Sequence, residues 1–232
     1  IKAMVRAGRV TVDGAGARDA GIQVDGAQSD VRLDGRRLCY KAVRHVMLNK
    51  PSGVLTAARD KKQKTVMDLL PPMYAAMGAM PAGRLDKDTE GLLLFTNDGD
   101  LAHRLLAPKR HIEKTYYAEH LGTVTEEDIR VFREGCVLRE GVRCLPAVLE
   151  PIGEGRSIIR VCEGKYHQVR RMFAALGNHV SELARVAMGG LLLPPELPLG
   201  ACCVLSEKDV QKLLKCETDF ASLLQTLQSH SS

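Results

Sequence analysis

The chain has 232 residues, one large domain or two small ones at roughly 100–200 residues each. Its 45% hydrophobic and 26% charged content is that of an ordinary globular protein, which excludes a disordered chain, a collagen and a small disulfide scaffold. No apolar run approaches the roughly 20 residues that cross a bilayer, and no secretory h-region opens the chain, so a cytoplasmic protein without membrane contact is expected. The first residue is Ile1 rather than Met, so an upstream segment of a longer parent chain is also expected.

The net charge of +5 is unevenly spread: residues 1–45 hold nine Lys/Arg against five Asp, and the remaining 187 residues hold 24 basic against 23 acidic groups. A basic module facing a polyanion and a solvated basic surface fit this equally well. Seven cysteines, at 39, 136, 144, 162, 202, 203 and 216, form no C-x-x-C pair and no group of zinc spacing. Reduced, mostly buried thiols are expected, and no metal or cofactor.

In chain order, Ile1 to Ala7 reads as the end of a helix stopped by Gly8. Arg9 to Asp13 is a short β-run closed by the turn signal Asp13-Gly14, and Gln23-Val24 and Val31 to Gly35 repeat the theme. Arg36 to Arg44 reads as a connector. The body opens with a strand, His45 to Lys50, stopped by Pro51. Thr65 to Leu70 is a short helix halted by Pro71-Pro72, and Met73 to Met80 carries no assignable chemistry. Gly91 to Thr96 is a continuous apolar strand, hence buried on both faces. A helix runs from Asp100 to Leu106, strands from Lys114 to His120 and Ser157 to Cys162, and a helix from Tyr166 to Leu176 with Gly177 after it. Ser206-x-x-Asp209 is a capping box for a helix to Lys215, and Phe220, Leu223, Leu224 and Leu227 mark a last amphipathic turn or two. Without a regular βαβ beat, the pattern predicts an α+β fold on a mixed sheet.

Three segments can carry chemistry. Gly83 to Gly91 places Arg84, Asp86, Lys87, Asp88 and Glu90 just before the buried strand, where a polar loop is held firmly. Arg84 and Lys87 would keep Asp86 ionised as a nucleophile or base, although a capped surface turn fits the spacing as well. The acidic spacing imitates an EF-hand loop. Calcium is rejected because Asn97 stands where a bidentate Glu is needed and Pro81-Ala82-Gly83 precludes an entering helix. In the strand from Lys114, Lys114 and Tyr116 share one face and Tyr117 takes the other. Tyr116 can stack on a base while Lys114 meets a phosphate, or both tyrosines can be plain sheet residues. In Glu163 to Phe173, Val169, Met172, Phe173 and Leu176 form an apolar stripe beside His167, Arg170, Arg171 and Ala174. Lys165, His167 and the two arginines at a helix start suit an anion; a solvated basic face is the ordinary alternative.

Read together and in this order, these blocks resemble the pseudouridine synthases of the ribosomal small-subunit type. The matching text is Met47-Leu48-Asn49-Lys50-Pro51, Thr65-Val66-x-Asp68-Leu69-Leu70, Gly83 to Gly99, Glu113 to Tyr116, Pro146 to Val148, Glu163 to Gly177 and Leu183-x-Arg185-x-x-x-Gly189. The resemblance covers about residues 45–210, and the GRLD and HQVRRM blocks are its specific parts. The stretch AGRVTVDG is similar to the end of an S4 RNA-binding module. The MLNKP and PAVLE text is most similar to the members that modify 16S rRNA, with those acting on 23S rRNA close behind. Ala184 departs from the pattern, which has His before Arg185.

The resemblance implies a mostly antiparallel catalytic sheet over residues 45–215, an N-terminally incomplete S4-like module and linker over 1–44, and a helical tail over 216–232. It implies an isomerase, without metal or cofactor, that detaches uracil from ribose, turns it and rejoins it through carbon. Asp86 falls on the catalytic aspartate. Tyr116 falls on the position that stacks on the base, Arg170 on the cation paired with the aspartate, and Arg84, Lys165 and Leu183 on substrate-binding positions. Arg6, Arg9, Arg36, Arg37 and Arg171 are the expected RNA contacts. The expected partner is ribosomal RNA or a ribosomal subunit assembly intermediate, met by a monomer. Two rivals are a non-catalytic RNA-binding assembly protein, which does not need Asp86, Tyr116 and Arg170 all intact, and a hydrolase using Asp86 and His167, for which the sequence shows no oxyanion or metal signature.

Overall fold

Alternation along two apolar strands decides how the larger part of the chain is layered. In the computed structural model, which describes residues 1–26, 28–38, 43–215, 221 and 223, the chain divides into two units, residues 1–43 and 44–232.

The first unit has a helix α1 (Lys2–Arg6) and four short strands, β1 (Val10–Val12), β2 (Ala15–Gly16), β3 (Val31–Leu33) and β4 (Arg36–Arg37). They form an antiparallel sheet in the order β2-β1-β3-β4. The two D-G pairs make its two-residue hairpin turns. Asp13 and Gly14 (φ 49° and 83°), like Asp34 and Gly35 (52° and 77°), are all left-handed, as a type I′ turn requires. Gln23-Val24 forms no strand; it lies in the irregular stretch between β2 and β3.

The second unit runs β5 (His45–Lys50), a 3₁₀ turn (Val66–Leu69), α2 (Pro72–Ala76), β6 (Met80–Pro81), β7 (Glu90–Thr96), α3 (Gly99–Leu106) and β8 (Lys114–His120). It continues with α4 (Glu126–Glu134), β9 (Val148–Gly153), β10 (Arg156–Val161), α5 (Gln168–Ala175), β11 (Val180–Met188), β12 (Leu191–Leu192), β13 (Cys202–Val204) and α6 (Glu207–Leu213). The main sheet path is β13-β5-β7-β11-β8-β10-β9, with β6 added to β7 and β12 to β11. Only β7 and β11 pair in parallel, so the sheet is mixed and mostly antiparallel, and the fold is α+β.

β7 is buried on both faces. Leu92 and Leu94, with Met47 of β5, meet Leu101 and Leu105 of α3 and Leu213 of α6. Leu93 and Phe95, with Val46 and Leu48, face Val54, Val66, Leu70 and Leu85. A third cluster covers the other end of the sheet, where Phe132 of α4 and Val169, Met172 and Phe173 of α5 meet Ala118, Leu149, Ile159 and Leu183.

Several elements differ from the sequence expectation. Helix α5 starts at Gln168, not Tyr166, because His167 takes a left-handed conformation (φ 46°, ψ 37°) just before it. Its end follows expectation: Gly177 (φ 77°) lets its own N–H reach Ala174 O and that of Asn178 reach Phe173 O. Helix α4 has no counterpart in the sequence reading, although Thr125 and Asp128 form a reciprocal capping box at its start. Strand β11 was legible only as a motif. The expected tail turn at Phe220, Leu224 and Leu227 lies outside the described residues; Leu223 is buried.

Candidate active site

The loop over residues 82–89, which delivers the chain into β7, is pinned from beneath. Lys50, the last residue of β5, has no exposed surface, and its Nζ donates to the carbonyls of Pro51 (3.1 Å), Lys87 (3.1 Å) and Thr89 (2.8 Å). Burial pulls its ammonium down to about 8, against Glu90, Asp88 and Asp86, which pull it back up. On the other side of the loop, the buried Thr56 hydroxyl donates to Leu85 O (2.7 Å) and accepts from Leu85 N (3.3 Å). Asp86 therefore stands between two anchored backbone segments.

Its carboxylate is half-buried, with 27% of the side chain exposed. Burial pushes it above the ordinary carboxylate range. His167, Arg170 and Lys50 oppose that push, and the neighbouring Asp88 adds to it. The His167 ring approaches the carboxylate, with Nε2 3.5 Å from Asp86 Oδ1. The same left-handed turn that delays α5 sets His167 there, with its ring stacked on that of the exposed Tyr166 at 3.9 Å between centroids.

Asp86 opens onto a cleft of about 660 Å³ that Arg84, Tyr116, Lys165, His167 and Leu183 also line. Tyr116, in the middle of β8, is partly buried against two of the core clusters. Leu183 comes from β11 and is 5% exposed. Arg84 is exposed at the rim. Lys165 is held by an ion pair to Glu163. Glu163 also accepts from Leu145 N and Gln168 Nε2, both at 2.8 Å. Burial pushes Glu163 up, but these donors outweigh it and hold the carboxyl below its usual range.

Asp86, Arg84, Tyr116, Lys165 and Leu183 thus share one cleft. Arg170 is placed differently from the expected pair with Asp86. Its guanidinium sits 3.3 Å from Asp88 Oδ2 and donates to Val180 O (2.8 Å) and Asp88 O (3.3 Å), so it acts on Asp86 through charge alone. Arg171 is engaged as well, by Glu140 and by Tyr166 O at 2.7 Å. In the first unit Arg9 forms a bidentate pair with Asp34, and Arg37 Nε lies 3.3 Å from Asp30, whereas Arg6 and Arg36 are exposed. Sequence reasoning assigned no part to Lys50, Thr56 or Glu163, and gave His167 to a candidate anion site and to the rival hydrolase reading rather than to a pairing with Asp86. For Lys50 the signal was present, since a lysine ending an otherwise apolar strand must find acceptors.

Residues 44–175 match the model of the RNA pseudouridylate synthase family. An uncharacterised RNA pseudouridine synthase of Bacillus subtilis, YtzG, is 43% identical over 92% of this chain and 91% of its own. Ribosomal small subunit pseudouridine synthase A of Escherichia coli is 39% identical over 90% of this chain and 91% of its own. Ribosomal large subunit pseudouridine synthase B of Vibrio cholerae is 36% identical over 92% of this chain and 68% of its own. A crystal structure of a pseudouridylate synthase superposes with a TM-score of 0.69, at 32% identity, covering 91% of both chains.

Proposed function

Because the chain belongs to the RNA pseudouridine synthase family, whose members are isomerases acting on RNA, we propose that Asp86 is its catalytic carboxylate and that the substrate is a uridine of 16S rRNA. The observation that carries the reading is the half-buried Asp86 at the head of a cleft whose wall is Tyr116. The reaction breaks the bond from uracil N1 to C1′, turns the base and forms a bond from C5 to C1′; the C5 proton is released to solvent and N1 takes one up, so the product is an isomer. A carboxylate lifted by burial is a stronger nucleophile and base than a solvated one, and the surrounding cations favour its charged form. Tyr116 supplies a face on which a base can lie once it has left the helical stack. Leu183 and Lys165 shape the rest of the cleft. The module over residues 1–44, in the manner of an S4 domain, grips phosphates through Arg6 and Arg36, and the protein works as a cytoplasmic monomer.

The small-subunit target is supported by the likeness to the Escherichia coli enzyme along nearly the whole of both chains. Tritium release from 5-labelled uridine in 16S and 23S transcripts and in ribosomal particles tests the activity. Pseudouridine mapping in cells lacking the protein tests the target. A missing modification in 16S rRNA is the expected result; one in 23S rRNA overturns the target, and release undiminished by Asp86→Asn overturns the site.

A further inference from the structure

A second cleft, of about 790 Å³, adjoins the first, and Arg84, Tyr116 and Lys165 line both. Arg185 and Lys114 line only the second. Arg185 is 3% exposed; its Nε donates to Leu92 O (2.8 Å), while one terminal guanidinium nitrogen is buried with no hydrogen-bond partner in the protein. Lys114 Nζ donates to Ile112 O at 2.9 Å, which leaves two of its N–H groups for other acceptors. None of the ion pairs among the described residues gives a carboxylate to either cation.

Two central strands force this placement. Arg185 in β11 lies opposite Tyr116 in β8, so both project to one face of the sheet. On its other side Arg185 runs beside Gly91, where a Cβ would stand 2.3 Å from Arg185 O. A buried guanidinium with an unused donor is costly, and a lysine beside it raises the cost. Burial and the charge of Arg185 both push the Lys114 ammonium down, against Cys162 and Glu163. An anion of tetrahedral oxygens removes both costs at once.

We propose that this second cleft is a phosphate subsite, in which Arg185 and Lys114 hold a backbone phosphodiester of the RNA strand next to the uridine seated against Asp86. The assignment rests on the reading of Asp86 and Tyr116 given above. Arg185 donates through its unused nitrogen and Lys114 through its two remaining N–H groups. Tyr116, which lines both clefts, then sets the spacing between base and phosphate.

The test uses the full chain and has two arms. In the first, inorganic phosphate is titrated into the protein alone while the guanidinium Nε–H signal of Arg185 is followed by NMR, with chloride at equal ionic strength as control. A saturable shift specific to phosphate, weakened at least fivefold by Lys114→Gln, is expected; an unmoved signal overturns the site. In the second, tritium release is measured across a salt series. Lys114→Gln is expected to raise KM about tenfold, the scale of one charge-assisted hydrogen bond, while kcat changes less than twofold. The slope of log affinity against log salt is expected to fall by about 0.7–0.9. Arg185→Lys should recover part of what Arg185→Met loses; if Arg185→Met does not fold, Lys114→Gln decides. A phosphate shift without any change in KM or salt slope overturns the assignment to the RNA strand and leaves a site for a free anion. Wild-type protein inactive on every transcript and every ribosomal particle counts against the Asp86 reading, while the phosphate titration still decides the subsite.

Discussion

The second unit buries cations in a way that the first does not. In the first, strands of two or three residues bury little, and Arg9, Arg32 and Arg37 are tied at the surface to Asp34 and Asp30. Exposed pairs of this kind add little to stability. In the second, Arg185 and Lys50 lie inside the sheet and are met by backbone carbonyls. Exposed ion pairs let a small module keep its shape but neutralise the charges it would offer to a polyanion. Buried cations cost more to keep, and their position is fixed by the strands that carry them.

Removing the charge at the centre of the buried set should have the largest effect. Asp86→Asn is expected to lower tritium release at least a thousandfold, about 4 kcal/mol of barrier. It is also expected to raise the melting temperature at neutral pH. Between pH 3.8 and the raised folded value, the native state binds more protons than the unfolded chain, so stability falls as pH rises through that window. The ionised carboxylate is therefore a net cost to the fold, and a wild-type protein that melts above the variant at pH 7 contradicts this.

Gly91→Ala comes next. Its methyl group would press on Arg185 O in a backbone conformation (φ 97°) that suits glycine. A loss of about 3 kcal/mol or more is expected, read by denaturant unfolding. Lys50→Met should cost about 2 kcal/mol by leaving carbonyls of the Asp86 loop without a donor, and should slow the reaction about tenfold as the loop loosens. Equal losses of stability in Asp86→Asn and Lys50→Met would erase the distinction between a costly charge and an anchoring one. The smallest effect sharpens the contrast between the units: Arg36→Ala should lower the salt slope of rRNA transcript binding by about 0.7–0.9, and Arg37→Ala, already neighboured by Asp30, by less than half of that.

Legibility cut across the two units. The apolar run of β7 and the D-G turns declared themselves, because burial on both faces and a left-handed pair each demand particular residue types. Strand β11 did not, because it carries Glu182 and Arg185, and only the fold explains a buried arginine in a strand. The start of α5 was misplaced because His167 adopts a conformation that no periodicity reports, and because Gln168 spends its side chain on Lys165 N and Glu163. The neighbours of Asp86 and Arg170 were unreadable for a related reason. Both aspartates of the loop are equally acidic in sequence, and only the loop's path decides that Asp88 meets Arg170 while Asp86 meets His167.

A carboxylate carried on a loop whose backbone is fastened by Lys50 and Thr56 has little room to travel to meet a substrate. On the proposed reading the nucleic acid has to do the travelling, and its cost of distortion becomes part of what is recognised. A uridine in a loop or beside a mismatch leaves the stack at a lower cost than one locked in a continuous helix, by a few kcal/mol. The anchored loop would then select its target partly by how soft the surrounding RNA is, a property that no side chain in the cleft has to touch.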